Sequence, residues 1–318
     1  QQGEQVLVAS VDCSAAFDTV AHDILLQKLQ RSCGIGGAAL SLLQSYLDGR
    51  SQRVKLSGDR KSALAPVPCG VPQGSVLGPL LFSLYTADIG LHIPGAKLVA
   101  YADDITVIVS ASDAERVTSK MNIALRELAR YAKRNRIAPE PTKTQLLASA
   151  NNAHLNKLRE VTCVMGDNKI QPRDVIKVLG VLLDERFTWE PHNAAAARRA
   201  EIATWAVGRA AHCLSRKERG ILLRSLAHPH LDYAQYGLQG ASANARGSLR
   251  RAYNKTSRVA VWGLAALHTL RSEGKETKGS TKVDNVTTNT ARNDNSNDFK
   301  TKDMAKNDNN NDSKHKWH

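Results

Sequence analysis

The sequence is poor in cysteine and in the spacings that bind zinc. Its five cysteines, at 13, 33, 69, 163 and 213, are odd in number, form no Cys-x-x-Cys pair and have no histidine at zinc-finger distance, which argues against a disulfide framework, a structural zinc site and a Cys-His knuckle. Long apolar runs are missing too. The longest, 76–93, is broken by Gly78, Pro79, Ser83, Asp88 and Gly90, so no stretch reads as a membrane span. No basic stretch followed by an apolar one marks the N-terminus as a leader. The expectation is a soluble, intracellular protein of a reducing compartment, neither secreted nor held in a membrane, with nucleus and cytoplasm both open. Acidic residues are also scarce. Against 44 Lys and Arg there are 30 Asp and Glu, a formal charge of +14, which points to an anionic polymer or surface as partner. Residues 1–274 hold 35 of the basic and 23 of the acidic side chains, so the excess belongs to the folded part.

What is present is the material of an ordinary folded protein. Of 318 residues, 42% are hydrophobic and 23% charged, and the length accommodates two domains or one large core with an appendage. The chain opens at Gln1 and enters an apolar strand pattern within a few residues, so it reads as a fragment. Residues 5–11 predict a buried strand ending at Asp12, and 22–31, with Ile24, Leu25, Leu26 and Leu29 at helical spacing, predict a helix. A second helix is expected over 38–47 and a long apolar one over 76–91. Between them, Gln52, Val54 and Leu56 with 63–67 suggest a short strand pair turning at Gly58 and Asp59.

The apolar runs 97–101 and 105–110 are separated only by Ala102, Asp103 and Asp104, which is hairpin length. A helix over 113–136 capped by Ser112 or Asp113, a strand over 145–149 and a Val-rich run over 175–183 that closes the sheet complete the first region. From 192 to 267 the pattern is helical only. The 44 residues beyond 274 include nine Asn and seven apolar side chains, too few to offset the entropy of ordering, so a disordered tail is expected.

A carboxylate at the end of one strand and two more at the tip of a neighbouring hairpin repel one another unless something neutralises them. A hard divalent cation such as Mg²⁺ suits all-oxygen ligands and completes its shell with water and substrate phosphates. Phosphoryl transfer is the chemistry this implies. Taken singly, Asp103 and Asp104 are also good turn formers, and Asp12 also reads as a strand-end residue facing water.

The order of the pieces narrows the choice. Asp12-Cys13-Ser14-Ala15-Ala16-Phe17-Asp18 is followed by Gly70-Val71-Pro72-Gln73-Gly74-Ser75-Val76-Leu77-Gly78-Pro79, and then by Tyr101-Ala102-Asp103-Asp104. Over roughly residues 5–267 the chain resembles the reverse transcriptase domain of non-LTR (LINE-type) retrotransposons, these blocks resembling motifs A, B and C. Lys143-Thr144 resembles motif D, and 178–184 the primer-grip motif E. Two departures stand out: Pro139-Glu140-Pro141-Thr142 precedes Lys143 where the family carries Asn and Pro, and Ala15 replaces a common Lys.

The resemblance implies an α+β fold: a right-hand polymerase palm of antiparallel sheet backed by helices, with residual fingers elements, over 1–190. A helical thumb-like region over 191–270 and a disordered tail over 271–318 follow, with most of the fingers absent. It implies an RNA-directed DNA polymerase in which Asp12, Asp103 and Asp104 hold two Mg²⁺ ions, with Mn²⁺ as the alternative. In the same scheme Lys143 protonates the pyrophosphate, and Phe17, Gln73, Gly74 and Tyr101 border the incoming deoxynucleotide. Arg246, Arg250, Arg251, Lys255 and Arg258, a stretch without acidic residues, would contact phosphates of an RNA template and DNA primer. Plainer readings stay open: Phe17 as a core residue, Lys143 as an exposed Lys before a strand, and the Arg stripe as a solvated face with Tyr253 and Trp262 packing inward. The alternatives in function are an inactive transposon remnant that only binds nucleic acid, and an RNA-dependent RNA polymerase. Template, target site and oligomeric state are not legible, and no endonuclease or RNase H signature is visible.

Overall fold

In the computed structural model, residues 4–55, 58, 60–235 and 240–263 are described, all within one compact unit. The tail expected to be disordered lies outside the described residues. The frame is an antiparallel four-stranded sheet. Its strands are β1 (Gln5–Val11), β4 (Lys97–Tyr101), β5 (Asp104–Ala111) and β6 (Gln145–Ser149), in the order β4-β5-β1-β6. Because side chains alternate along a strand, the sheet has two distinct faces. Leu7, Ala9 and Val11 of β1 and Ile105, Val107 and Val109 of β5 share one face and are buried. They pack against Leu25 and Leu29 of α1 (His22–Arg31), Leu81, Phe82 and Tyr85 of α3 (Gly78–Thr86), and Leu125 and Leu128 of α4 (Ala114–Arg134). Each such Leu contributes roughly 1.5–3 kcal/mol by leaving water. The Asp113 carboxylate caps α4 by accepting the Arg116 N–H at 2.8 Å.

On the opposite face Val8 and Leu147 meet Ile176 of a separate hairpin, β9 (Val175–Val178) and β10 (Val181–Asp184). This corrects the expectation that 175–183 closes the sheet. Arg173 donates its N–H to the Leu146 carbonyl at 2.7 Å, but Pro172, paired with Leu146, has no N–H to extend a ladder on β6, and the hairpin folds over the sheet instead.

The long helix expected over 76–91 is also shorter. Pro79 in its first turn fixes the start, leaving Val76 exposed, and the helix ends at Thr86 before a 3₁₀ turn over Ile89–His92. The strand pair around 52–67 shrinks to the exposed two-residue strands β2 (Ser51–Gln52) and β3 (Ala65–Pro66), after α2 (Gly37–Leu47). Unforeseen are α5 (Asn152–Arg159) and the hairpin β7 (Cys163–Met165) with β8 (Asn168–Ile170), turning at Gly166 with φ +59°.

Beyond the hairpin, α6 (Glu190–Arg209), α7 (Arg216–Leu226), α8 (His228–Asp232) and α9 (Ala243–Trp262) bury a core of their own around Ala200, Leu223, Leu231 and Val259. Ser215 and Glu218 form a capping box that starts α7. Ser242, the N-cap of α9, donates its hydroxyl to Glu190 at 2.7 Å, which joins the starts of α6 and α9.

A polar junction locks the helices beneath the sheet. The Lys28 ammonium donates to Asp88 and to the Tyr85 carbonyl, both at 2.7 Å, and Tyr131 donates to the same Asp88 oxygen at 2.6 Å. Burial alone would push the Asp88 carboxyl up, but the hydrogen bonds from Lys28 and Tyr131 outweigh it and hold the group below its ordinary value. A lowered native value means that the carboxylate stabilises the fold above its ordinary 3.8, and that this stabilisation is lost as pH falls through the still lower native value. Asp88→Asn should therefore cost roughly 1–3 kcal/mol at pH 7, with the gap to the parent closing only in acid below the ordinary carboxylate range. Urea denaturation across pH checks this, and a gap independent of pH would contradict it.

Candidate active site

The register of the sheet sets the site. Val11 lies opposite Ile105 and Tyr101 opposite Asp104, so continuing the ladder by one residue sets Asp12 across from Asp104, on the face away from the helices. Asp104 thus belongs to β5, and the hairpin turn consists of Ala102 and Asp103. Ala102 adopts φ +52°, the positive value that the first central residue of a primed hairpin turn requires. An L-residue there costs roughly 1–2 kcal/mol. Ala15, three residues beyond Asp12, has φ +49°, so strained backbone flanks the carboxylates on both sides.

Asp12, Asp103 and Asp104 line one cleft of about 890 Å³ together with Tyr101, Lys143, Arg173, Lys177, the Leu179–Gly180 turn and Tyr233. Burial raises the Asp104 carboxyl, and the charges of Asp103 and Asp12 raise it further against the pull of Lys177. Burial and the same three carboxylates push the neighbouring Cys13 thiol up to about 12, which leaves it unreactive near neutrality. Lys143 Nζ stands 3.6 Å from an Asp12 carboxylate oxygen. The donor chemistry fits a hard divalent cation, since all three groups are carboxylates under mutual repulsion. Among the described residues, however, no three carboxylate, imidazole or thiol groups stand close enough to close round one ion. The aspartates share a cleft and a field, not a formed coordination sphere.

The other expected residues are distributed differently. Phe17 stacks on Phe82 with ring centroids 4.6 Å apart and packs against the core beneath the sheet. Gln73 donates its amide to both carboxylate oxygens of Asp18, at 3.0 and 3.1 Å, in a second pocket of about 700 Å³. Neither Phe17, Gln73 nor Gly74 lines the aspartate cleft. On α9, Arg246, Arg250, Arg251 and Arg258 are exposed, whereas Lys255 Nζ is drawn to Glu201 of α6 at 3.3 Å. That partner was hidden because it lies on a different helix. Tyr253 binds Asp232 through its hydroxyl and packs against the helical core, while Trp262 is exposed.

Sequence reading missed Arg173, Lys177, Tyr233 and Gly70. The first three come from β9, its approach and the end of α8, and they have no motif spacing that would relate them to Asp12. Tyr233 donates its hydroxyl to the Leu179 carbonyl at 2.5 Å and its ring lies against Gly180, so the helices hold the hairpin turn at the cleft. Gly70 is different, because its signal was present in the motif. It has φ +91°, and a Cβ there would stand 2.8 Å from the Asp18 carbonyl oxygen. This close approach lets Gly70 donate its N–H to Val20 and Val71 its N–H to Phe17, both at 2.8 Å, stitching the segment after Asp12 to the Gln73 loop.

With this geometry in hand, comparison with known proteins assigns a family. Residues 1–183 match the family described as reverse transcriptase (RNA-dependent DNA polymerase), and the chain belongs to that family. It is 31% identical over 244 residues to the probable RNA-directed DNA polymerase from transposon BS of Drosophila melanogaster, covering 72% of this chain and 26% of that protein. To the RNA-directed DNA polymerase from mobile element jockey of Drosophila melanogaster it is 29% identical over 212 residues, covering 63% and 22%. The chain thus spans about a quarter of the length of these relatives. A telomerase structure from Candida albicans with a fragment of telomeric RNA aligns over 87% of this chain and 50% of that one, at 10% identity and a TM-score of 0.43. The resemblance to non-LTR elements read from the motifs is thereby borne out at the level of family and relatives.

The Gly70 contact predicts that Gly70→Ala costs roughly 2–4 kcal/mol, from left-handed strain plus the clash with Asp18. Gly74→Ala, with φ +79° but no atom within 4 Å of the added Cβ, should cost only the strain, roughly 1–2 kcal/mol. Urea midpoints of the two variants test the difference, and equal losses would refute the close-approach argument.

Proposed function

We propose that this chain carries the polymerising centre of an RNA-directed DNA polymerase of a non-LTR element, extending a DNA primer on an RNA template with deoxynucleotides. The observation that carries this reading is the convergence of Asp12, Asp103 and Asp104 on one cleft that Lys143, Arg173 and Lys177 also line. In this reading the four-stranded sheet with its helices is the palm and α6 to α9 the thumb. Asp12 and Asp103 would hold the metal ions, with Asp104 beside them. Two Mg²⁺ ions, or Mn²⁺ in their place, would supply the Lewis acidity for activating the attacking oxygen and stabilising the leaving one.

The chain's own groups do the rest. Asp12 and Asp103, fixed at the strand end and the hairpin turn, would hold those ions in place. Lys143 Nζ would deliver a proton to the pyrophosphate oxygen whose bond to the α-phosphorus breaks as the primer oxygen bonds to that phosphorus. Arg173 and Lys177 offset phosphate charge entering the cleft, and Tyr101, with its ring largely exposed, offers a flat apolar surface at the cleft edge. The exposed arginines of α9 suit the phosphate backbone of a duplex, whose binding would weaken steeply with salt. Phe17 and the Gln73 loop, joined by backbone hydrogen bonds, border the nucleotide in this reading.

Primer extension by the 318-residue chain on a homopolymer RNA template, with dNTP and Mg²⁺, tests the proposal. Asp103→Ala should lower the rate by more than about 100-fold. Equal background from parent and variant would dispose of the enzyme reading and leave the nucleic-acid-binding remnant. Phe17→Val separates sugar selection from packing. A selecting ring predicts that ribonucleotide use relative to deoxynucleotide use rises at least about tenfold. An unchanged ratio with lowered stability would make Phe17 a packing residue only.

A further inference from the structure

The Lys143 loop is a large bulge in an edge strand. Ser10 pairs with Gln145 in the regular ladder of β1 and β6, and pairing resumes where Cys13 bridges Pro139. Five residues, 140–144, therefore face two, Val11 and Asp12. Bulges of this kind re-aim side chains beside active sites, but an excursion this long needs something to fix it.

Glu140 supplies that fixation at every polar atom it has. Its N–H donates to the Asp12 carbonyl at 2.8 Å, and its own carbonyl accepts from the Lys143 N–H and the Thr144 hydroxyl, each at 3.1 Å. Its side chain accepts from the Thr142 hydroxyl at 2.7 Å and from the Ser14 hydroxyl at 3.3 Å. The carboxylate thus spans the mouth of the bulge, tying it to the residue two past Asp12. An Asn at this position would have a shorter reach and one acceptor oxygen instead of two.

We infer that Glu140 is a positioning residue that closes the 140–144 bulge and so holds the Lys143 ammonium beside Asp12. Glu140 touches no reacting atom and acts through Lys143. On sequence grounds a carboxylate here is an unfavourable neighbour for a triphosphate. In the structure both its oxygens are turned onto Thr142 and Ser14, and its charge serves the loop.

The activity arm of the test rests on the polymerase reading, whereas the exchange arm does not. In the 318-residue chain, Glu140→Ala should lower kcat for primer extension about 10- to 100-fold, the scale for a misplaced catalytic group. KM for dNTP should stay within about twofold, since dNTP binding does not run through Glu140. Glu140→Gln, which retains an acceptor for Thr142, should recover most of the rate. Independently, hydrogen exchange at the amides of Glu140, Lys143 and Thr144 should accelerate in Glu140→Ala while that of β1 stays unchanged. Unchanged exchange at these three amides, or a raised KM with unaltered kcat, overturns the inference. Should the parent show no extension above Asp103→Ala, the polymerase reading fails, and the exchange result alone decides whether Glu140 closes the bulge.

Discussion

Three carboxylates at one end of a sheet repel each other, and the rest of the molecule is organised around keeping them there. Like charges gathered in one cleft oppose folding, and the antiparallel ladder holds them there. Asp12 follows a strand whose residues Leu7, Ala9 and Val11 are buried against helices. Slipping the register by one residue to separate the charges would turn that whole apolar face toward the other side. The apolar core thus holds the register against the repulsion, and Ala102 and Ala15, both at positive φ, flank the carboxylates.

The neighbouring cations fit the same constraint. Lys143, Arg173 and Lys177 border the cleft from three different segments, and Lys177 pulls the Asp104 carboxyl opposite to the direction in which its acidic neighbours push it. This is how a basic protein accommodates a locally acidic centre. Positive side chains at the rim lower the repulsion within the site and favour polyanionic substrates approaching it. On α9 the arginines are exposed, and Lys255 pairs with Glu201, binding α9 to α6.

Rigidity comes from polar contacts as much as from apolar packing. Lys28, Asp88, Tyr85 and Tyr131 tie three helices together below the sheet. Gly70 and Val71 tie the motif-bearing loops together, and Tyr233 fixes the hairpin turn above the cleft. Each contact joins residues distant in sequence, so each constrains where the aspartates' neighbours stand without appearing in any local pattern.

Local pattern was enough for the framework. Short, nearly continuous apolar runs in 5–11 and 145–149, amphipathic spacing in 22–31 and 113–136, and the short gap between 97–101 and 105–110 depend on neighbouring residues, and the corresponding elements stand where the pattern sets them. The aspartates and the family were legible as well, because motif order records the order of strands. Apart from the short local elements α5, β7 and β8, what failed depended on distant partners. The 175–183 hairpin left the sheet because Pro172 cannot extend its ladder, the 76–91 helix stopped where Asp88 met Lys28 and Tyr131, and Glu140 changed from a misplaced charge to a loop clasp once Ser14 came within reach. Sequence by itself determined most of the strands and helices, though not α5, β7 and β8, and which carboxylates end them, since those follow from short-range periodicity and turn chemistry. The tertiary structure alone decided which cations face those carboxylates and what holds them in place, since hydrogen bonds and charge pairs form between groups that only folding brings together.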